Sequence, residues 1–193
     1  MKKLKNTASD EAEKRRRDAM KWMALCVLYA VGVFVGVGVA GRYADGIGFT
    51  PGFSIGIGVA LLRAALTLGA GVLSACLCAI WLPGILLALF VSVARGALAF
   101  MSIWALVSLM SGFEGALLIL LVALGEVLAT LPLFSMFVRA MGLWSYRAFE
   151  CGADVAEPGA LMPSAGECGL FTLSLIVNGV VVPWVYAQIQ LTI

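Results

Sequence analysis

The chain has 193 residues, of which 62% are hydrophobic and 12% charged, with a formal net charge of +2 and no histidine. A soluble domain carries roughly 25% charged residues, so this composition excludes a water-soluble globular protein and predicts a membrane domain of helical spans. Without histidine the chain lacks the commonest general base and metal ligand, and we predict no catalytic residue, metal or cofactor.

The N-terminal segment, residues 1–21, holds eight basic and four acidic residues. Basic residues ahead of a first span favour a cytoplasmic N-terminus, so we predict that this segment is a basic cytoplasmic tail. Nucleic-acid binding through "EKRRRD" is the alternative, but the interleaved acids weaken it, and no nucleic-acid partner is expected.

The first predicted span, residues 22–41, is an uncharged run of about 30 Å as a helix, which matches the hydrocarbon thickness of a bilayer. Its "GVGVAG" matches the dinucleotide fingerprint G-x-G-x-x-G but is not placed between a short strand and a helix. The same run places small residues four apart, which is typical of closely packed membrane helices. We therefore interpret its glycines as helix-packing residues and expect an uncleaved anchor. These glycines are Gly32, Gly36, Gly38 and Gly41.

The middle of the chain predicts a loop followed by a helical hairpin. We assign residues 42–63 to an outer loop and leave open whether residues 53–62 dip into the bilayer. The next uncharged run is too long for one span, and Pro83 with Gly84 marks the natural helix break. The second and third spans are therefore predicted at about residues 64–82 and 85–110.

The remaining sequence predicts two further spans, at about residues 116–138 and 168–187, joined by a polar cytoplasmic loop at residues 139–167. Pro132 should bend or break the fourth span, and Asn178 should hydrogen-bond across helices in the last. The predicted fold is an all-α, polytopic bundle of about five transmembrane helices within residues 22–193. Its N-terminus lies inside and its C-terminus outside.

Two charges, Arg95 and Glu126, are predicted near mid-bilayer on adjacent antiparallel spans. An unpaired ion at that depth costs from about 2.5 to well over 10 kcal/mol, so we predict that they pair. Two interpretations stay open: a structural clamp that fixes helix register, or charges that line a substrate path.

Three sequence features resemble the stage II sporulation protein M family. They are the Gly-rich "YAVGVFVGVGVAG", the Leu-Pro turn of "IWLPGILLALFVSVARGALAF", and "LVALGEVLATLPLFSMFVRAMGLW", in which a proline follows a polar residue. The resemblance covers most of residues 22–149, whereas residues 151–167 match no part of the family. It implies a non-enzymatic scaffold in the cytoplasmic membrane of a spore-forming bacterium.

That scaffold would localise peptidoglycan-degrading partners, stage II sporulation proteins P and D, during engulfment. A small transporter or permease subunit that uses the Arg95–Glu126 pair is the alternative, and an intramembrane enzyme lacks supporting residues. The expected partners are membrane lipids and other membrane proteins, with a homo-oligomer open.

Overall fold

The structure, a computed structural model, describes residues 2–43, 57–80, 83–109, 112–149 and 162–192, and the regular structure in these ranges is helical. Within them, five helical segments are long and apolar enough to cross a membrane, which confirms the predicted all-α, multi-pass class. The elements are α1 (Lys2–Tyr43), α2 (Ile57–Ile80), α3 (Pro83–Leu109), α4 (Phe113–Phe149), α5 (Ala165–Ile176), a π-helical turn (Val177–Val181) and α6 (Val182–Thr192). The π-helical turn joins α5 and α6 into the fifth segment.

Helix α1 includes nearly all of the predicted tail as well as the first span, so it is about 63 Å long, roughly twice the hydrocarbon thickness. The side chains of residues 11–20 are mostly exposed. Glu13 pairs with Arg17 and Asp18 with Lys21 one turn apart, as suits a solvated helical segment.

Helix α2 begins at Ile57, seven residues earlier than the predicted span. Arg63, which we assigned to the outer loop, therefore lies on a helix within a candidate span. Residues 57–62, which precede Arg63, are apolar and already helical. The charge therefore lies inside the helix and does not mark its end. Residues 42 and 43 of the predicted loop belong to α1, and residues 44–56 lie outside the described residues.

The two predicted proline sites behave differently. Helix α3 begins at Pro83, where the missing N–H costs nothing because the first helical N–H groups have no intrahelical partner. Gly84 follows in the first turn. Pro132 instead lies inside α4, which continues through it to Phe149, and its ring is fully buried among packed neighbours. Pro132 therefore does not end the fourth helix.

Helix α4 also extends past the predicted end of its span at residue 138, so Arg139 and Arg147 lie on a helix and not in a loop. The segment that we assigned to a cytoplasmic loop is polar, but it contains helix-forming residues and no proline before residue 158. Of that predicted loop, residues 150–161 lie outside the described residues.

The fifth segment begins with a capping box and contains a π-helical turn. Ser164 Oγ accepts a hydrogen bond from the Glu167 N–H, and Glu167 Oε2 accepts one from the Ser164 N–H. In the turn, the Val182 N–H donates to Val177 O, five residues earlier. Pro183 follows directly; it lacks an N–H and its ring crowds the preceding turn, which accounts for the wider turn there.

Two apolar clusters lie toward opposite ends of the helices and leave a more polar layer between them. One cluster is centred on Leu133 and Phe137 and includes Leu25 and Cys78. The other joins Leu106 and Leu118 to side chains of the π-helical turn and α6. Arg95 lies between the two clusters along α3, about 18 Å from the first residue of that helix and 21 Å from the last. The polar layer is therefore close to the middle of the bundle.

Candidate functional site

The Arg95–Glu126 pair predicted from sequence is present in the polar layer. Arg95 Nη2 on α3 donates to Glu126 Oε2 on α4 at 3.0 Å. The Arg95 side chain is 7% exposed and that of Glu126 is 25% exposed. The two charges neutralise each other at a depth where either alone would be costly.

A partly open cavity of about 300 Å³ adjoins this pair. Helices α2, α3, α4 and the fifth segment all contribute to its walls. Its polar and charged lining residues are Arg63, Thr67, Arg95, Ser102, Glu126, Ser174 and Asn178. Among its lining residues Arg63, Thr67 and Leu98 are exposed, and these lie on α2 and α3, so the cavity opens between those two helices. A register clamp alone needs no such space beside it.

Asn178 contributes to the wall in a different way from that predicted. Its Nδ2 donates to Ser174 Oγ at 3.4 Å on its own helical segment, and Ser174 Oγ donates to the Gly125 carbonyl of α4 at 2.9 Å. The hydrogen bond across helices therefore comes from Ser174. Asn178 instead packs directly against Gly125, where an added Cβ would lie 2.2 Å from Asn178 Oδ1.

Two of the four predicted packing glycines form a close crossing of α1 and α3. A Cβ on Gly32 would lie 2.0 Å from the Val93 carbonyl oxygen, and one on Gly36 would lie 2.9 Å from that of Ala97. From the other side, a Cβ on Gly96 would lie 2.1 Å from the Tyr29 carbonyl oxygen. Only residues without a Cβ allow the two backbones to approach this closely.

Gly38 and Gly41 lie outside this crossing, since within the described residues a Cβ on either would meet no atom within 4 Å. Successive residues of an α-helix are about 100° apart, so Gly38 is rotated by about 200° from Gly36 and Gly41 by about 140°. Neither glycine therefore lies on the packing face, although both are in the same Gly-rich run.

A second ion pair, which the sequence analysis missed, joins α4 to the start of α5. Arg139 Nη2 donates to Glu167 Oε2 at 2.5 Å, and Glu167 is buried. The same oxygen accepts the Ser164 N–H of the capping box. Glu167 thus fixes the start of the fifth segment to α4.

Arg63 is the cavity residue that sequence reasoning misplaced. The signal that would have found it is its helical spacing with Ala60, Ala64 and Thr67, all of which line the cavity. In the described part of the chain, no group of three or more Cys, Asp or Glu side chains is arranged to hold a metal ion. The site contains two guanidinium groups, one carboxylate, three hydroxyl groups and one amide around a space within the bundle.

The structure therefore assembles the polar side chains of four helical segments around one space between two apolar clusters. No family model, curated protein or solved structure matches this chain.

Proposed function

We propose that this protein is a small membrane transporter or permease subunit that binds a solute with a polar group in the cavity beside Arg95 and Glu126. The observation that carries the proposal is a buried ion pair lining a partly open space halfway along the bundle. Ionisable side chains within membrane spans face bundle interiors or water-filled cavities and are typical of substrate and ion pathways. A cavity with a few convergent polar groups is also the usual form of a small-molecule site.

The proposal includes the membrane and the orientation expected from sequence. The protein would lie in the cytoplasmic membrane of a bacterium with its N-terminus inside and its C-terminus outside. The basic residues of the first 21 positions support this orientation. Arg139 supports it as well, because it lies toward the C-terminal end of α4, where a Cβ on Gly142 would lie 3.5 Å from Lys21 Nζ.

Solvent access to the cavity tests the proposal. Two variants, each with one cysteine in a chain otherwise free of cysteine, would be treated in membrane vesicles with a charged, membrane-impermeant thiosulfonate. Thr67→Cys places the thiol in the cavity wall, whereas the adjacent Leu66→Cys places it at nearly the same depth on a residue that is 65% exposed on the outer surface of the bundle. The expected result is reaction at position 67 and none at position 66, because the lipid-facing thiol has no water to react in.

Transport further predicts that position 67 reacts in both right-side-out and inverted vesicles. A thiol at position 67 that is as inert as the one at position 66 would contradict a hydrated cavity. Reaction from one side only would contradict a path across the membrane.

The scaffold function implied by the resemblance to the stage II sporulation protein M family stays a separate prediction. It rests on the three sequence features already described and would make stage II sporulation proteins P and D the partners. Deletion in a spore-forming host tests it: an engulfment defect with mislocalised wall hydrolases supports the scaffold, whereas normal engulfment contradicts it.

A further inference from the structure

The charge balance of the cavity is positive. Three ionisable side chains line it, namely Arg63, Arg95 and Glu126. Arg95 and Glu126 neutralise each other, and within the described ranges Arg63 takes part in no salt bridge. One positive charge, that of the exposed Arg63, therefore remains at the opening of the cavity.

The uncommitted hydrogen-bond donors of the cavity belong to its arginines and to the Asn178 amide, which uses one of its two N–H groups. The hydroxyl groups of Thr67, Ser102 and Ser174 each donate to a backbone carbonyl, so their protons are already used. Arg95 uses Nη2 for Glu126, but its buried Nε and Nη1 have no hydrogen-bond partner among the described residues. Guanidinium groups present paired N–H donors that match the oxygens of a carboxylate or phosphate. The net positive charge of the lining and its guanidinium donors therefore favour an anionic ligand.

The position of the opening indicates that the ligand also has an apolar part. The cavity opens between α2 and α3, along the side of the bundle. Leu66 on α2 and Leu98 on α3, 65% and 54% exposed, lie on the outer surface of these two helices. A ligand that enters sideways through this opening passes from the apolar phase of the membrane.

We propose that the cavity binds the anionic group of an amphiphile, a phosphate or carboxylate, whose apolar chain remains in the membrane between α2 and α3. This inference rests on the proposed function, since it names the class of ligand that the same cavity takes. Arg63 at the opening holds the anionic group, while Glu126 holds Arg95 in place in the inner wall of the cavity.

Lipid retention in native mass spectrometry tests the proposal on the full-length protein. Purified protein in detergent is mixed with equal amounts of phosphatidylglycerol and of diacylglycerol, which has no anionic group and carries identical acyl chains, and in a separate arm with inorganic phosphate. We expect wild-type protein to retain phosphatidylglycerol preferentially. Arg63→Gln should reduce that preference by about tenfold, the loss expected from one charge-assisted hydrogen bond.

Arg42→Gln is the matched control, because Arg42 is also exposed near a helix end but does not line the cavity. Equal retention of the two lipids, or an equal loss in both variants, would overturn the proposal, since the preference would then be absent or due to surface charge alone. Displacement of phosphatidylglycerol by inorganic phosphate at equal concentration would overturn the requirement for an apolar chain. Labelling of Thr67→Cys together with any of these results would refute the ligand class and leave the proposed transport function standing.

Discussion

The close crossing of α1 and α3 makes a sharp prediction for Gly32→Ala. The added Cβ would lie 2.0 Å from the Val93 carbonyl oxygen, whereas real Cβ contacts almost never fall below 3.0 Å, so the helices must separate by at least about 1 Å. The obstructing atom belongs to a backbone and cannot rotate away. Gly36 and Gly96, in the same interface, would lose their close contacts when the backbones separate.

The size of the effect follows from two opposing terms. Overpacking a well-packed interface costs about 1–3 kcal/mol, and alanine recovers up to about 1 kcal/mol over glycine in helix propensity. We expect a net loss of about 1–2 kcal/mol, which for a chain of this size lowers the unfolding midpoint by about 2–8 °C. Gly38→Ala is the matched control, because the same substitution on the same helix meets no atom of the described residues within 4 Å. It should leave the midpoint unchanged or raise it.

The fully buried Cys78 provides the assay. In a variant that keeps Cys78 as its single cysteine, a thiol-reactive fluorescent maleimide reports unfolding as temperature rises. Equal midpoints for Gly32→Ala and Gly38→Ala would refute the close backbone approach, and a lower midpoint for Gly38→Ala alone would reverse the assignment of the packing face.

Three further predictions use the same preparations. Arg95→Met and Glu126→Leu should each lower the free energy of unfolding by about 3–5 kcal/mol, and by less where the remaining charge reaches water. The double variant should recover most of the lost unfolding midpoint, and no recovery would mean that the two residues do not act as a pair. Arg139→Gln should lower the free energy of unfolding by about 1–2 kcal/mol, because it breaks a partly buried hydrogen bond between α4 and α5. Arg17→Gln, in an exposed pair, should lower it by under about 0.5 kcal/mol, and equal losses in the two variants would contradict this reasoning. Impermeant maleimide should label Arg17→Cys only in inverted vesicles and Thr192→Cys, beyond the fifth span, only in right-side-out vesicles. Labelling of both positions from one side would exclude five spans.

The elements that could be predicted are those governed by the membrane itself. Uncharged runs about as long as a bilayer is thick have few alternatives to a spanning helix, and Pro83 interrupts the one run that is too long. The Arg95–Glu126 pair followed from the same constraint, because two opposite charges at similar depth on neighbouring helices cost much less together.

The elements that could not be predicted depend on which way a residue faces. Arg63 and Arg139 were predicted to be loop residues because a charge usually marks the end of a span. Each lies on a helix instead, in a setting that accommodates its charge. Arg63 lines the cavity and Arg139 pairs with Glu167. The sequence shows that a charged residue is present. Whether the fold accommodates that charge depends on the helices packed around it.

The two central charges share a local arrangement that explains how the bundle keeps a polar layer in register. Gly96 directly follows Arg95, and Gly125 directly precedes Glu126. Adjacent residues point about 100° apart on a helix, so each glycine lies on a face beside that of the charge. Gly96 lets α1 approach the back of α3, and Gly125 lets Asn178 pack against α4. The backbone next to each charged residue is therefore packed closely against a neighbouring segment, α1 at Gly96 and the fifth segment at Gly125. A larger residue at Gly96 or Gly125 would push the neighbouring segment away and shift the backbone that carries Arg95 or Glu126. The shape of the cavity therefore depends on this close packing.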